Sequence, residues 1–385
     1  MKTIMDETKS TWVEYELGEL LSYEQPTPYI VESTDYNDKY KTPVLTAGKS
    51  FILGYTNETN GVYTALPVII FDDFTTASQY VNFEFKVKSS AMKILTPNAE
   101  LVLPKFIYYR MQIIPFDHST HKRYWIQQYS KIKVSIPPIP VQEQIVAKIE
   151  ELFSELDNGV ETLRKTKQQL AVYRQAVLKD AFNGCEVWDK HFFSDLMCEV
   201  RNGYGQKPDD CGNYRILKIS AVRPLCLDFS ESRLNKIPFS DEDTIAENDI
   251  LFTRYNGSRE YVGVCAVVPA LGEPYAYPDK LIKCRPKIQS HIHSKYLAYY
   301  MSQGEARKYL RSKIKTTSGQ NGIAGADIKK TTVYLPDMDA QTRIVTEIET
   351  RLSVCDSIEK TVDTALQQAE AMRQSILKQA FEGRL

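Results

Sequence analysis

The sequence contains no cysteine before Cys185, and none of its seven cysteines is spaced as a C-x-x-C pair. Neither a disulfide framework nor a zinc knuckle is predicted, and we expect reduced thiols. No run approaches the roughly 20 apolar residues that span a bilayer. The opening MKTIMDETKS has no apolar stretch like that of a signal peptide. We therefore expect a cytoplasmic protein with no membrane partner.

The sequence also has no excess of charge of either sign. The chain has 48 basic and 49 acidic residues, for a formal charge of −1, which argues against a protein that coats nucleic acid indiscriminately. A local basic face remains compatible with this balance, because residues 307–315 carry five cations without an acidic neighbour. The length of 385 residues, with 43% hydrophobic and 25% charged residues, predicts at least two folded domains.

The clearest feature present is an internal repeat. Residues 136–184 align without gaps to residues 335–383 at a constant offset of 199. Helix-favouring residues fill both copies, and proline lies just before each one and glycine just after it. Each copy also has an apolar position every seven residues, which predicts a heptad seam. The seam positions are Ile149, Leu156, Leu163, Leu170, Val177, Ile348, Cys355, Val362, Ala369 and Ile376.

Each repeat predicts a helical rod of roughly 60 Å at 1.5 Å per residue. An apolar stripe of that length is too long to remain in water, so we expect the two rods to pack as an antiparallel coiled coil with a pseudo-twofold relation. The repeat continues more weakly upstream, where Trp12 matches Trp188 at an offset of 176 and Lys105 matches Lys295 at an offset of 190. The globular parts have therefore diverged by insertion around conserved helices.

Both globular parts contain segments typical of strands, including residues 67–73, 79–87, 92–97, 249–255 and 261–269, and residues 296–310 look helical. Asn-Gly pairs at Asn60, Asn202, Asn256 and Asn321 predict tight turns. The predicted fold is α+β, with two mixed α/β domains joined by two long antiparallel coiled-coil helices. The expected segments are domain 1 (1–137), a central helix (138–184), domain 2 (185–336) and a C-terminal helix (337–385).

Several linked features resemble the DNA specificity subunits of Type I restriction-modification systems over nearly the whole chain. They are the start Trp-x4-[Leu/Phe]-[Gly/Ser]-[Glu/Asp], the segment NDILFTR, the helix entries KVSIPPIPVQEQ and TVYLPDMDAQTR, and the end ILKQAFEGRL. The second helix entry departs from the Pro-rich form at Asp337, Met338 and Asp339. The resemblance implies that each globular part is a target-recognition domain for one half of a bipartite, asymmetric sequence in double-stranded DNA. The helices would then act as a ruler between the half-sites.

The same resemblance implies a non-catalytic subunit within a methyltransferase and endonuclease complex. Its partners would be methyltransferase subunits, two in number, and restriction or translocase subunits. It implies no cofactor on this chain, with S-adenosylmethionine, ATP and Mg²⁺ on the partners, which would carry out adenine-N6 methylation and ATP-dependent cleavage. The sequence itself contains neither an Asn-Pro-Pro-Tyr nor an Asp-Pro-Pro-Tyr methylation motif.

Candidate DNA contacts lie in two positionally equivalent loops and in one further cluster. All three combine cations for phosphates with polar or aromatic side chains for bases. The competing interpretation of each residue is a solvated surface loop. The candidates are His118, Ser119, Thr120, His121, Lys122, Arg123, Tyr124, Arg254, Tyr255, Asn256, Arg259, Lys313, Lys315, Thr316, Thr317, Ser318, Gln320 and Asn321.

Two other functions compete with this one. Asp73 precedes Glu84 and Lys86 with a spacing that imitates metal-dependent nucleases, although two ordinary neighbouring strands give the same pattern. A protein that binds only other proteins through paired helices is the second alternative. His291 and His293 have no third ligand nearby in the sequence, so no metal site is expected there.

Overall fold

A computed structural model describes residues 12–46, 50–117, 123–287, 291–317 and 319–384. The chain separates into two compact units. Unit 1 consists of Met1–Arg164 and Asp363–Leu385, and unit 2 consists of Lys165–Val362. Each unit contains one globular domain together with part of each long helix.

The described part of unit 1 has nine strands in three sheets. An antiparallel sheet has the order β2-β8-β5-β6, a mixed sheet has the order β4-β3-β7, and β1 pairs with β9. Helices α1 (Leu17–Leu20) and α2 (Pro104–Met111) belong to the same domain. The strands are β1 (Val13–Glu16), β2 (Leu21–Glu24), β3 (Thr42–Leu45), β4 (Ile52–Thr56), β5 (Val68–Asp72), β6 (Ser78–Val81), β7 (Lys86–Val87), β8 (Met92–Pro97) and β9 (Lys133–Ile136).

Strand β5 lies inside the larger sheet of unit 1, and its first four residues are all fully buried. A continuous apolar run suits such a central position because both faces are covered. The strand expected over residues 79–87 is instead divided. β6 ends at Val81 and β7 joins the other sheet, because Phe85 pairs with Tyr63 rather than continuing the first ladder.

Two long helices, α3 (Ile139–Ala181) and α7 (Met338–Glu382), follow the two globular domains. Each is followed by a glycine in the left-handed region, Gly184 at φ 75° and Gly383 at φ 73°, where other residues are strained. At the start of α7, the Asp337 carboxylate accepts a hydrogen bond from the Ala340 backbone N–H at 2.7 Å. The aspartate that departs from the Pro-rich helix entry therefore acts as an N-cap.

The described part of unit 2 has fourteen strands. A four-stranded antiparallel sheet has the order β11-β20-β16-β18, two three-stranded sheets have the orders β15-β12-β19 and β17-β22-β21, and the pairs are β10-β23 and β13-β14. The strands are β10 (Asp189–Phe192), β11 (Met197–Asn202), β12 (Tyr214–Leu217), β13 (Val222–Arg223), β14 (Cys226–Leu227), β15 (Ser232–Asn235), β16 (Ile250–Thr253), β17 (Tyr255–Asn256), β18 (Cys265–Val267), β19 (Tyr275–Ala276), β20 (Leu281–Pro286), β21 (Lys315–Thr317), β22 (Gln320–Gly322) and β23 (Thr332–Leu335).

Three short helices also belong to unit 2: α4 (Ser294–Met301), α5 (Gly304–Lys313) and α6 (Gly325–Lys329). Residues 296–310, which were expected to be helical, lie in α4 and α5, and only Ser302 and Gln303 between these two helices are outside them. Gly304 begins α5 with φ 54°, a left-handed conformation that a continuous right-handed helix does not contain. The change of direction brings Leu310 into the same buried core as Tyr296 and Leu297.

The sequence repeat is also a structural repeat. In unit 1, Val13 of β1 pairs with Ile136 of β9, and in unit 2 the equivalent Asp189 of β10 pairs with Leu335 of β23. Each of these two-stranded ladders leads directly into a long helix. The predicted fold of two mixed α/β domains with a long linking helix is confirmed.

Helix packing within each unit uses the predicted seam. In unit 1, Ile149 and Phe153 of α3 share one buried core with Ile376 and Leu377 of α7. All ten seam positions are buried or half-buried. In unit 2, successive residues of α3 form ion pairs with residues of falling number on α7, which makes these segments antiparallel. The ion pairs are Lys167–Glu359 at 3.7 Å, Arg174–Asp356 at 2.7 Å and Asp180–Arg351 at 3.5 Å.

Candidate nucleic-acid interface

A small sheet in unit 2 brings together two of the three clusters suggested by the sequence. Strand β17 carries Tyr255 and Asn256, which pair with Gly322 and Asn321 of β22. Strand β22 also pairs with β21, so that Thr316 lies opposite Asn321. Residues that are about 60 positions apart in the chain therefore form one surface.

Asn321 holds this sheet together. Its side-chain oxygen accepts a hydrogen bond from the Thr316 hydroxyl at 2.7 Å, and its amide donates to the Gly257 carbonyl at 2.9 Å. The tight turn expected at Asn321 is wrong, because Asn321 and Gly322 are both in β22. The positive φ of 78° is found at Gly319 instead, between β21 and β22.

Gly322 is required by a close approach rather than by a turn. A Cβ atom placed there would lie 2.4 Å from Cε1 of Tyr255, well inside van der Waals contact. The Tyr255 ring is also covered on one face by the Arg254 guanidinium, whose carbon lies 4.7 Å from the ring centroid. A cation over an aromatic face is attractive, so the orientation of both side chains is restricted.

This sheet forms one wall of a cleft of about 660 Å³. The cleft combines positive charge with aromatic rings and side-chain amides, which is the composition of a surface for phosphates and base edges. Its cations are Lys207, Lys218, Arg223, Arg233 and Lys280. Its aromatic and amide residues are Tyr204, Tyr255, Gln206, Asn256 and Gln320.

The five cations differ in how far they are already neutralised. Lys218 lies 3.4 Å from Glu231, and Arg233 lies 3.7 Å from Asp210. Lys207 and Lys280 are exposed and have no ion pair with another described residue. These two lysines are therefore the cleft cations most available to a polyanion.

Sequence reasoning missed most of this cleft. Of its cations, aromatic residues and amides, only Tyr255, Asn256 and Gln320 were among the candidates. Tyr204, Gln206 and Lys207 follow the Asn202-Gly203 pair in a polar segment that resembles any solvated loop. Pairing between segments that are distant in sequence, such as the bridge of Tyr204 with Pro278, brings that segment into the same cleft as β17.

Several candidates lie beside the cleft rather than in it. Lys315 and Thr316 are exposed on β21. Arg259 donates to the Arg311 carbonyl at 3.4 Å, and the Lys313 ammonium lies 5.1 Å from the centroid of the Tyr309 ring. Only the backbone of Thr317 is described, and Ser318 lies outside the described residues.

The candidate loop of unit 1 is only partly described. His118, Ser119, Thr120, His121 and Lys122 lie outside the described residues. Arg123 is exposed, whereas Tyr124 is only 1% exposed. The Tyr124 ring packs edge-on against Phe116, with 4.8 Å between the centroids. Tyr124 is therefore a core residue, and its assignment to the DNA surface is corrected.

The nuclease pattern is not assembled in the structure. Asp73 is buried, lies 3.5 Å from the Lys93 ammonium, and accepts a hydrogen bond from the Trp125 backbone at 2.8 Å. Lys86 instead pairs with Glu58 at 3.0 Å, while Glu84 is exposed. The carboxylate and the lysine of the pattern therefore have separate structural partners.

His291 and His293 are described, and the His293 backbone donates a hydrogen bond to Gln341 at 2.9 Å. Burial lowers the pKa of His293, and the neighbouring Lys295 lowers it further while Glu349 opposes the shift. In the described ranges, no group of three or more His, Cys, Asp or Glu side chains is arranged to hold a metal ion. The described helices also include none that is long and apolar enough to cross a membrane.

Each of the two repeated domains leads into a long helix, and the domain of unit 2 carries a cationic cleft. Residues 9–170 and 197–368 both match the family described as Type I restriction modification DNA specificity domain. The chain belongs to this family, and the resemblance found in the sequence is confirmed.

Curated relatives are similar over part of the chain. The Type I restriction enzyme EcoKI specificity subunit of Escherichia coli strain K12 is 37% identical over 279 residues, which cover 67% of this chain and 58% of the relative. The EcoR124I/EcoR124II specificity subunit of Escherichia coli is 43% identical over 190 residues, which cover 46% of each chain. The chain thus spans about half the length of the curated relatives it matches.

Solved structures share the fold at low sequence identity. A chain from a study of complex assembly and conformational transition of the type I R-M system has a TM-score of 0.72 and 16% identity, and the match covers 97% of this chain and 98% of that one. The HsdS subunit from Thermoanaerobacter tengcongensis has a TM-score of 0.53 and 15% identity, with 97% of each chain covered.

Proposed function

We propose that this protein is the DNA specificity subunit of a Type I restriction-modification complex. The observation that carries the proposal is the cleft of unit 2, where a cationic and amide-rich wall lies in a chain of the specificity family. The cleft would bind double-stranded DNA, and each globular domain would read one part of a bipartite target.

Within the cleft, phosphate contacts and base contacts would have different residues. Lys207 and Lys280 are exposed and unpaired among the described residues, so they are suited to neutralise phosphates, and Lys315 extends the charge along β21. Gln320 is exposed at the cleft, and its amide can donate and accept at once, as pairing with an adenine edge requires. Asn321 serves the sheet instead, since both ends of its amide are engaged.

The two domains would read different half-sites because their sequences differ, while the helices have kept a gapless repeat. Rigid readers separated by a fixed length of helix accept only half-sites at a matching separation. The target would then be bipartite and asymmetric, with a gap between its halves set by α3 and α7.

The chain would itself be non-catalytic, and its partners would carry out the chemistry. Support comes from the family and from the separate structural partners of Asp73 and Lys86. Two methyltransferase subunits with S-adenosylmethionine would methylate adenine at N6. A restriction or translocase subunit with ATP and Mg²⁺ would cleave unmodified DNA.

The test is co-expression of the full chain with the methyltransferase subunits of its own system, followed by methylation sequencing of a random DNA library. A discontinuous methylated motif is expected. Methylation without such a motif would contradict the DNA-specificity role and favour a protein that only joins other proteins, whereas cleavage by the chain alone would favour the nuclease.

Variants of the cleft refine that test. Replacing both Lys207 and Lys280 with alanine should weaken binding to all sequences and lower the dependence of log K on log salt by about 0.9 for each phosphate that is no longer neutralised. Gln320→Ala should relax one position of one half-site, at a cost of about 1–3 kcal/mol. Lys190→Ala is the matched control, because Lys190 is exposed on β10 and does not line the cleft.

A further inference from the structure

A buried glutamine lies in the first turn of each long helix. In unit 1, Gln142 is fully buried, and its side-chain oxygen accepts a hydrogen bond from the Leu103 backbone N–H at 2.8 Å. Its amide donates to the carbonyl of Leu101 at 3.0 Å and to that of Pro137 at 2.8 Å. Leu103 is the residue that caps the short helix α2.

Unit 2 repeats the arrangement. Gln341 is 1% exposed, and its oxygen accepts from the His293 backbone at 2.9 Å. Its amide donates to the carbonyls of His291 at 3.1 Å and Pro336 at 2.9 Å. His293 caps α4, as Leu103 caps α2. The same hydrogen bonds therefore form in both units, although the long helices repeat at an offset of 199 residues and the short helices at an offset of 190.

The chemistry of this position calls for glutamine. One side chain must accept a hydrogen bond from a backbone N–H and donate two to backbone carbonyls, and an uncharged amide does both. A buried polar group without partners is costly. Two of the three bonds bind the start of the long helix to the segment that caps the short helix, and the third, to Pro137 or Pro336, holds the glutamine against its own helix entry. A carboxylate would oppose two carbonyl oxygens instead.

Two further repeated contacts hold the same short helices. Lys105 of α2 pairs with Glu150, and the equivalent Lys295 of α4 pairs with Glu349 at 2.5 Å. Each short helix also contacts the other long helix near its end, at Phe381 within α7 and at Phe182 directly after α3. Phe381 packs on Phe106 with 5.2 Å between centroids, and Phe182 packs on Tyr296 at 5.3 Å. In each unit, the short helix is thus fixed to the start of one long helix and the end of the other.

We infer that Gln142 and Gln341 are positioning residues that fix the angle between each recognition domain and the long helices, and so restrict the gap length that the protein accepts. This inference rests on the proposed function, because a gap exists only in a bipartite target. A change of one base pair moves the half-sites by about 3.4 Å along the duplex and turns them by roughly 35° about its axis, and a looser joint would have to accommodate both.

The test replaces each glutamine with methionine, which is of similar length and forms none of the three bonds. The complex with Gln142→Met, Gln341→Met or both is examined by methylation sequencing. We expect both half-sites to be unchanged while sites with gaps one base pair longer or shorter become methylated, most of all in the double variant. A folded double variant that keeps a single gap length overturns the inference.

Gln168→Met and Gln367→Met are the matched controls, because these glutamines are also equivalent at the offset of 199 and are exposed. They should leave the gap unchanged. If the methionine variants do not fold, Lys295→Met loosens the same joint from an exposed position. It should widen the accepted gap to a smaller extent, and an unchanged gap in this folded variant counts against the inference.

A second readout does not depend on DNA. Hydrogen exchange in the full chain should show the amide of Leu103 exchanging at least about tenfold faster in Gln142→Met, and that of His293 in Gln341→Met, because each loses its acceptor. Equal exchange rates in variant and wild type would show that the glutamine does not hold the cap of the short helix. A wild-type complex with no bipartite motif would refute the proposed function, whereas the exchange result would still report on the joint.

Discussion

The Arg174 guanidinium lies 2.7 Å from the Asp356 carboxylate across the antiparallel helices of unit 2. In unit 1, the repeat-related residues Arg373 and Asp157 form the same ion pair. The arginine now lies on α7 and the aspartate on α3, the reverse of unit 2. A repeat that exchanges partners in this way makes each long helix complementary to the other at equivalent positions. The same pairing between the two long helices therefore occurs twice, once in each unit.

Reversing one of these charges should destabilise the helix pair. Arg174→Glu would face Asp356 and Glu359, which lie 2.7 and 2.9 Å from the native guanidinium. Because the pair is partly exposed, we expect the free energy of unfolding to fall by about 0.5–1 kcal/mol. A lower midpoint of urea denaturation would show this loss. Asp356→Arg added to Arg174→Glu should restore part of it. Arg164→Glu, at an exposed position of α3, should change the midpoint little, and an equal loss there would exclude a specific pair.

Glycine at position 322 should be irreplaceable. In Gly322→Ala the new methyl group would meet Tyr255 at 2.4 Å, so we expect a loss of about 1–3 kcal/mol from overpacking together with weaker DNA binding. Gly272→Ala is the control, since nothing lies within 4 Å of a Cβ there and Gly272 does not line the cleft. Measured DNA affinity that is the same for both variants would show that the β17-β22 contact does not shape the interface.

The buried Asp73–Lys93 pair should matter to stability, and Glu84 should not. Asp73→Ala leaves the Lys93 ammonium, whose side chain is 1% exposed, without its counter-charge, and breaking a buried pair in this way costs about 3–5 kcal/mol. Glu84→Gln changes an exposed side chain and should leave the unfolding midpoint unchanged. Metal-dependent cleavage that disappears in Glu84→Gln would instead revive the nuclease interpretation.

The cysteines should separate into two reactivity classes. Cys198, Cys211 and Cys226 are exposed, while Cys185, Cys265, Cys284 and Cys355 are buried. Burial also raises the pKa of Cys265 to about 11 and that of Cys284 well above its ordinary value, so their thiolates are scarce. A thiol-reactive dye should label the first three quickly and the others only on unfolding. Rapid labelling of Cys355 in the native protein would contradict the packing of the seam.

His293 should make the protein less stable in mild acid. Its folded pKa is lowered from 6.5 by burial and by Lys295, so below pH 6.5 the unfolded state binds the proton more readily than the folded state. The free energy of unfolding therefore falls as the pH drops through that value. Urea midpoints at about pH 7.5 and about pH 5.5 should differ less in His293→Asn than in the wild type. An equal difference would show that another group is responsible.

Local patterns were sufficient for the long helices and the repeat. Heptad spacing, flanking proline and glycine, and a gapless offset are properties of neighbouring residues, and all ten predicted seam positions are buried or half-buried. Strands such as β5 and β8 were also predictable, because continuous β-branched and aromatic runs favour extended chain. The break between α4 and α5 was not predictable, since it depends on a positive φ at Gly304.

The sequence by itself thus determined two mixed domains, two helices with matching apolar stripes and the family to which the chain belongs. Tertiary structure alone decided which polar residues share a surface. It joined Tyr255 to Gly322, placed Lys207 and Lys280 in the same cleft, and buried Tyr124 although the surrounding loop is polar. The physical reason is that periodicity is read from neighbours along the chain, whereas a cleft depends on strand pairing between segments that are distant in sequence.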